Sequence, residues 1–189
     1  TLTLPAAPAD RLGRFLGRAW RPTLYLLGAI YATTAVYIVF GLPGVPYPSR
    51  NVDYLAWREA AAAVHELEQQ VERDTGQRPL VAGMSKWSIA AGLAFYDTDG
   101  RRDNITSRNI VGRGGAMFEY WFDDQSNGRR PVLLVDFERK DLEDPSVEAA
   151  LVQVGPIQEQ IIHWRGQVIR HLYFRVAAGY RPAAVQRTR

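Results

Sequence analysis

Asp97-Thr98-Asp99 is the pattern in this sequence that comes nearest to a metal-binding chemistry. Two carboxylates two residues apart can share one divalent cation when they stand at the end of a strand. Here the pair follows a predicted helix and precedes Gly100-Arg101-Arg102, which has the composition of an ordinary turn. The sequence therefore favours a turn, and we predict no metal site and no cofactor.

A second candidate is the glycine-rich segment Gly112-Arg113-Gly114-Gly115 with the nearby Arg108. Backbone amides and guanidinium groups are the donors that hold phosphate in proteins. The segment lacks the Lys-Ser/Thr ending of a nucleotide P-loop, so it is not that motif. A surface loop is the favoured interpretation, and phosphate binding is the alternative.

The other residues that carry chemistry form no complete catalytic set. The chain has no cysteine, and Ser85 and Ser88 lie in no nucleophile-elbow pattern. His65, His163 and His171 lack the spacing that places two metal ligands on one helical face. A soluble hydrolase is therefore the least favoured function.

Aromatic residues are a further kind of candidate, and they include Trp87, Tyr96, Tyr120 and Trp121. In a domain outside the cytoplasm, such rings stack on sugars or lie against lipid headgroups. Packing in the core is favoured for most of them. They indicate a binding function and do not by themselves define a site.

The elements that position these residues begin with a long apolar segment. Residues 22–49 contain no charged side chain, and residues 23–40 have the roughly 20-residue length that crosses a bilayer as a helix. A core helix of a soluble protein normally shows a polar face, and this segment shows none. A cleaved signal peptide normally ends in small residues, whereas this segment ends in a proline-rich turn. We predict a transmembrane helix over residues 22–41.

The charges on either side of this segment predict its orientation. The preceding flank carries an excess of arginine over Asp10, in the residues Arg11, Arg14, Arg18 and Arg21. Basic residues are retained on the cytoplasmic side of a membrane. We therefore predict that residues 1–21 form a cytoplasmic amphipathic segment and that residues 51–189 lie outside.

Bulk composition limits the remaining part of the chain. After the apolar segment, roughly 140 residues remain, which is enough for one domain with its own core. The net charge of +3 comes without a basic block or an aromatic-basic repeat, so we predict no nucleic-acid partner. The absence of cysteine excludes a disulfide framework. Because residue 1 is threonine and not methionine, we expect a fragment or a processed product.

Hydrophobic periodicity predicts the elements of this domain. Apolar residues at gaps of three and four indicate a helix behind Asp53, and a second helix is expected to be capped by Ser85 and to end at Tyr96. Short helices are predicted over residues 118–122 and 145–151. Strands are predicted over residues 80–84, 104–107 and 131–137, followed by a hairpin with arms at 159–164 and 167–176.

These elements predict an α/β fold: one N-terminal transmembrane helix, then a small α/β sandwich with a mixed sheet and a C-terminal hairpin. The domain would occupy residues 53–182. A proline-rich linker over residues 42–52 would precede it, and a tail over residues 183–189 would follow it.

The order of certain elements resembles a known family. A membrane span is followed by a Trp-bearing helix (Trp57), an apolar strand and a segment that runs from Lys86-Trp87 to Phe95-Tyr96. Phe118-Glu119-Tyr120-Trp121 then precedes the strand at 131–137. Over residues 23–182 this arrangement resembles the C-terminal region of bacterial GT-C glycosyltransferases, the group related to the lipid A aminoarabinose and protein mannosyl transferases.

The resemblance implies a location and a function. In that group the region consists of the last membrane span and a periplasmic domain. The resemblance would therefore place the span in a bacterial inner membrane and residues 51–189 in the periplasm. The whole protein would transfer a sugar from a polyprenyl-phosphate carrier, so its partners would be membrane lipid and this lipid-linked sugar. The acidic catalytic residue of the group lies in an earlier loop with no counterpart here, so this region would be accessory.

Under this hypothesis, the contact residues would be cations and aromatics able to meet phosphate and sugar: Lys86, Trp87, Arg108, Arg113, Tyr120 and Trp121. The alternative hypothesis is a self-contained binding or assembly module that is anchored by a single span. Further spans upstream with an acidic first outer loop would favour the enzyme, and an initiator methionine just before Thr1 would favour the module.

Overall fold

The computed structural model of the chain describes residues 9–41, 45, 57–85, 87–97, 100, 102–122, 127–164 and 166–181. The chain divides into two compact units, Thr1–Tyr47 and Pro48–Arg189. Most of the predicted linker at 42–52 and the predicted tail at 183–189 lie outside the described residues.

The first unit contains one long helix, α1 (Ala9–Phe40), with Pro22 inside it. This single helix contains residues 9–21 of the predicted surface segment and residues 22–40 of the predicted span. Its apolar part, Gly17–Phe40, has a mean hydropathy of 1.7, and none of the apolar window is buried within the chain. At 1.5 Å per residue this part is about 36 Å long. By length and composition, it is able to cross a membrane.

The second unit combines helices with a six-stranded sheet. Its longer helices are α2 (Trp57–Thr75) and α3 (Ser88–Tyr96), and its short helices are α4 (Phe118–Trp121), α5 (Arg139–Leu142) and α6 (Pro145–Ala150). The strands are β1 (Leu80–Gly83), β2 (Ile105–Ser107), β3 (Val132–Asp136), β4 (Leu151–Val154), β5 (Gln158–Trp164) and β6 (Gln167–Tyr180).

The sheet is mixed, as the sequence predicts. Its strand order is β2-β1-β3-β6-β4, and β5 also pairs with β6. β1 runs parallel to β2 and to β3, whereas β6 runs antiparallel to β3, β4 and β5. The long strand β6 therefore joins the parallel part of the sheet to the antiparallel part.

The core follows the alternation of side chains along the buried strands. Even-numbered residues of β1 and β3 belong to one buried cluster, whose members are Leu80, Ala82, Met84, Ile110, Val111, Val132, Leu134, Leu142, Val147, Ala150, Leu151, Ala177 and Tyr180. This cluster joins β1 and β3 to α5, α6 and the 3-10 turn Arg108–Val111. Odd-numbered Gly83 instead meets α3, so α3 packs on the opposite face of β1.

Gly83 allows an unusually close approach of α3 to β1. A Cβ atom at this position would lie 2.6 Å from the backbone nitrogen of Ala90 and 3.1 Å from its Cα. Backbone atoms cannot move aside as a flexible side chain can. The absence of a side chain at Gly83 therefore sets the distance between α3 and the sheet.

Glu68 fixes α2 in a different way, through a buried polar cluster. It is only 7% exposed, and its Oε1 accepts hydrogen bonds from Arg78 Nε and Asn104 Nδ2, each at 2.5 Å. Asn104 Nδ2 also donates to the carbonyl of Pro79 at 3.1 Å. One carboxylate thus joins α2 to the start of β1 and to the turn before β2.

The structure corrects one predicted cap and extends other elements. Ser85 does not cap α3: Trp87 occupies the N-cap position without a side-chain hydrogen bond, and Ser85 Oγ lies 3.0 Å from Ser88 Oγ. The predicted hairpin is confirmed, with Gly166 in the left-handed region at its turn. Its second arm continues to Tyr180, and Leu151 begins β4 instead of ending a helix.

Candidate functional site

A groove of about 570 Å³ lies at the carboxyl ends of β1 and β3. This size is within the roughly 300–1,000 Å³ of ordinary ligand sites. Its walls come from the start of α2, the segment after β1, one side of α3, the end of β3, α5 and β6: Trp57, Ser85, Trp87, Ser88, Ile89, Ala91, Gly92, Phe95, Tyr96, Asp136, Phe137, Glu138, Asp141 and Arg170. In α/β sheets, ligands bind outside the carboxyl ends of the strands, so we take this groove as the candidate site.

Aromatic side chains form one wall of the groove. Trp87 is 55% exposed and Phe95 is 72% exposed, and Tyr96 stands beside Phe95 with ring centroids 4.9 Å apart. Large apolar side chains that stay exposed in a group mark a binding surface more often than single ones do. The wall offers flat ring faces to a ligand.

Ring packing fixes another part of the groove lining. Gly92 makes room for the indole of Trp57, because a Cβ atom at Gly92 would lie 2.5 Å from Trp57 Cζ3. Trp57 meets Phe137 edge to face at 5.3 Å, and the guanidinium carbon of Arg170 lies 4.1 Å from the Phe137 ring centroid. The four residues therefore form one packed unit along the groove.

Asp136, the last residue of β3, is a buried carboxylic acid that lines the groove. It is only 2% exposed, and its Oδ1 accepts a hydrogen bond from the backbone nitrogen of Glu138 at 2.8 Å. Its Oδ2 is buried without a hydrogen-bond partner among the residues that the structure describes. Burial raises the pKa of Asp136 to about 6, with a smaller contribution from the charge of Asp141.

The raised pKa of Asp136 predicts that this residue contributes more to the stability of the fold at low pH than at neutral pH. The folded-state pKa of about 6 lies above the ordinary value of 3.8, so between these values the folded protein binds more protons than the unfolded protein. Stability from this group is therefore present at low pH and is lost as pH rises through about 6. Asp136→Asn removes the titration, since the amide stays neutral.

We expect the unfolding free energy of wild type relative to Asp136→Asn to fall by about 2 kcal/mol between pH 4.5 and pH 7.5. Urea unfolding of both full-length proteins in detergent, at both pH values, measures this difference. A difference that does not change with pH would show that the Asp136 carboxyl has an ordinary pKa.

The remaining polar groups of the groove are hydroxyls and charges. Ser85 Oγ and Ser88 Oγ lie 3.0 Å apart on its floor. Glu138 and Asp141 add carboxylates next to Asp136, and Glu138 forms an ion pair with Lys140. The described lining thus holds more acidic than basic groups.

The structure separates the residues predicted as contacts into three groups. Trp87 lines the groove. Arg108, Arg113 and Tyr120 are described and are not among its lining residues. Lys86 and the side chain of Trp121 lie outside the described part of the chain.

The glycine-rich segment Gly112–Gly115, for which phosphate binding was the alternative to a surface loop, forms internal hydrogen bonds. Arg108 Nε donates to the carbonyl of Gly114 at 2.8 Å, and the amide of Gly115 donates to Glu119 Oε1. Gly112 takes a left-handed conformation with φ 77°, which caps the preceding 3-10 turn. These hydrogen bonds hold the loop in shape.

Arg113 is connected to the groove through its ion pairs. Its Nη1 lies 3.2 Å from Asp144 Oδ2 and 3.7 Å from Asp141 Oδ1. Asp144 caps α6 by accepting from Ser146, and these hydrogen bonds hold the pKa of Asp144 below its usual value. Because Asp141 lines the groove, the ion pair with Arg113 helps to hold one of the lining residues in position.

The acidic pair and the histidines form no metal site among the described residues. No group of three or more His, Cys, Asp or Glu side chains there has a metal-binding geometry. Asp97 follows α3 directly, while Thr98 and Asp99 lie outside the described residues. The His65 side chain is hydrogen-bonded to Gln69, and the His171 side chain is hydrogen-bonded to Glu159.

Sequence reasoning did not select Asp136, Trp57, Phe95 and Arg170 as site residues. For Asp136 a signal was present, because an acidic residue ends the most apolar strand of the chain. For Trp57 and Arg170 no local signal exists, since they reach the groove through tertiary packing.

Comparison with known proteins identifies no relative of this chain. No protein-family model matches it, and neither does any curated protein or solved structure. The groove and the apolar helix are therefore the observations from which a function is inferred.

Proposed function

We propose that this chain is the last membrane span and the periplasmic domain of a glycosyltransferase that uses a polyprenyl-phosphate sugar donor. In this proposal the domain is not catalytic, and it holds the sugar end of the lipid-linked substrate in the groove. The domain is an α/β sandwich with a mixed sheet, attached to a bacterial inner membrane.

The unburied apolar helix supports the membrane location. Apolar surface in water costs about 25 cal/mol per Å², so a fully exposed apolar helix of this length is stable only when lipid or another apolar surface covers it. The apolar window of α1 has no buried residues within the chain. Arg18 and Arg21 precede its most apolar part, which supports an N-terminus on the cytoplasmic side.

The aromatic groove is the observation that carries the sugar-binding part of the proposal. Sugar rings present C–H faces that pack on aromatic rings, and hydroxyls that need hydrogen-bond partners. The groove supplies ring faces from Trp87 and Tyr96, hydroxyls from Ser85 and Ser88, and a carboxylate from Asp136. This combination suits a polyhydroxylated ligand better than a purely apolar one.

The sequence that resembles the GT-C group also supports the proposal by its position. The segment from Trp87 to Tyr96 forms α3 with its N-cap and provides a wall of the groove. Trp57, which belongs to the same pattern, also lines the groove. One part of the resemblance therefore lies in the candidate site, whereas Tyr120, which belongs to another part of it, does not line the groove.

A transfer assay tests this function with matched aromatic variants. Membranes that contain the full-length protein would receive polyprenyl-phosphate hexose labelled in the sugar, and label in the acceptor fraction would be measured. Trp87→Ala is expected to raise the KM for the donor about fivefold, because a sugar–indole contact contributes about 1 kcal/mol. The kcat should change less, since the catalytic residue lies elsewhere in the protein.

Tyr120→Ala is the control, because Tyr120 is 86% exposed and does not line the groove. Its KM is expected to stay within about twofold of wild type. A complete lack of transfer by the wild-type protein, with sugar binding retained, would instead support the self-contained binding module.

A further inference from the structure

We infer that the groove takes an uncharged sugar ring, with one ring hydroxyl donating to Asp136 Oδ2, and that the donor phosphate stays outside the groove. This inference deepens the proposed function and rests on it. It names the part of the substrate that the domain recognises.

The first observation is the unfilled hydrogen-bonding capacity of Asp136. Asp136 lines the groove, and its Oδ1 is occupied by the Glu138 amide, while its Oδ2 is inaccessible to solvent and has no partner among the described residues. Leaving a buried carboxylate oxygen without a donor is costly, so native proteins rarely keep one. A rotation of the Asp136 carboxylate toward the groove would let a ligand hydroxyl donate to this oxygen.

The second observation is the charge of the lining. Glu138 and Asp141 face the groove together with Asp136, and a phosphate placed there would meet like charges. The described cations near these groups are engaged: Arg170 lies over Phe137, Lys140 pairs with Glu138, and Arg113 pairs with Asp141. The described lining therefore disfavours an anion and accepts a neutral donor.

The third observation is that aromatic rings line the same groove as Asp136. Trp57 and Trp87 come from different elements and both line the same groove as Asp136. A pyranose ring can stack on one indole while a hydroxyl at its edge reaches the carboxylate. A flat aromatic ligand without hydroxyls would leave Oδ2 unsatisfied, so a sugar fits the set of groups better.

Direct binding to the full-length protein in detergent micelles tests the inference. The probes are the methyl α-pyranosides of glucose, galactose and mannose, with glucose 1-phosphate as the anionic comparator. Saturation-transfer NMR and tryptophan fluorescence report binding. At least one methyl glycoside is expected to bind saturably, and glucose 1-phosphate at least about tenfold more weakly.

Asp136→Asn is the informative variant because it keeps the shape and the Oδ1 acceptor while replacing Oδ2 by a donor. It should weaken binding of the glycoside about tenfold, whereas Tyr120→Ala should leave binding unchanged. Wild-type affinity should also fall as the pH drops through about 6, the pKa to which burial raises the Asp136 carboxyl. The pH profile keeps the inference testable if the Asn variant does not fold.

Unchanged affinity in a folded Asp136→Asn variant would overturn the inference, as would equal or tighter binding of glucose 1-phosphate. Absence of saturable binding by all three glycosides would overturn it as well. Binding that depends on Asp136 in a protein without transfer activity would uphold this inference and refute the proposed function. Transfer activity without such binding would refute this inference and uphold the proposed function.

Discussion

Replacing Glu68 with alanine is expected to lower the free energy of unfolding of the domain by about 3 kcal/mol. The change would leave Asn104, which is 0% exposed, without its carboxylate acceptor, and it would remove the 2.5 Å ion pair of Arg78, which keeps a longer ion pair to Asp103 at 3.7 Å. Breaking a buried pair by removing one partner typically costs about 3–5 kcal/mol. The lower end applies here because Arg78 retains some solvent contact.

Urea unfolding of the full-length protein in detergent, followed by tryptophan fluorescence, measures this loss. Glu66→Ala is the matched control, since Glu66 is an exposed acidic residue on the same helix. The control should change stability by less than about 0.5 kcal/mol. Equal stability of the two variants would mean that the Glu68 cluster does not hold α2 in place.

Gly83→Ala is the second large effect that we expect, at about 2–3 kcal/mol of lost stability. The new Cβ would meet the backbone of Ala90 at 2.6 Å, so α3 would have to move away from β1. Because α3 and its N-cap carry Trp87, Phe95 and Tyr96, the same movement would widen the groove. Loss of stability should therefore be accompanied by loss of ligand affinity.

The matched control is Gly114→Ala, where the nearest atom to an added Cβ is Glu119 Oε1 at an ordinary 3.6 Å. Thermal unfolding of both variants by circular dichroism separates the steric effect of Gly83 from a general effect of removing glycine. A Gly83→Ala protein that is as stable as the Gly114→Ala protein would contradict the close packing of α3 on β1.

Much of the fold follows from hydrophobic periodicity alone. The sequence predicted the apolar strand β3, the apolar face of α2 and the hairpin around Gly166. Each of these depends on residues that are close together in the sequence. The strand β4 was not predicted, since Leu151–Val154 directly continues the apolar positions of α6. Its strand character depends on pairing with β6, which is a tertiary contact.

The error at Ser85 has a similar cause. Serine two or three residues before an apolar helical pattern usually caps the helix through its hydroxyl. Here the hydroxyl of Ser85 lies beside that of Ser88, and the helix begins without a side-chain cap. The local pattern expresses a statistical preference for serine at the N-cap, and in this structure Trp87 occupies that position.

The candidate site was less predictable than the fold. Arg108 and Arg113 were selected because cations attract phosphate, but neither lines the groove, and Arg113 is ion-paired with Asp144. A single sequence does not reveal which cations are paired. Trp57, Asp136 and Arg170 likewise lie far apart in the sequence. They line one groove because α2, β3 and β6 meet near the carboxyl end of β3.

The transfer assay with Trp87→Ala and Tyr120→Ala is the decisive measurement for the proposed function, because both residues are exposed aromatics and only Trp87 lines the groove. We expect the wild-type protein to transfer label from polyprenyl-phosphate hexose. We also expect a donor KM about fivefold higher for Trp87→Ala than for Tyr120→Ala. Equal KM values for the two variants, or no transfer by the wild-type protein, would contradict the proposal.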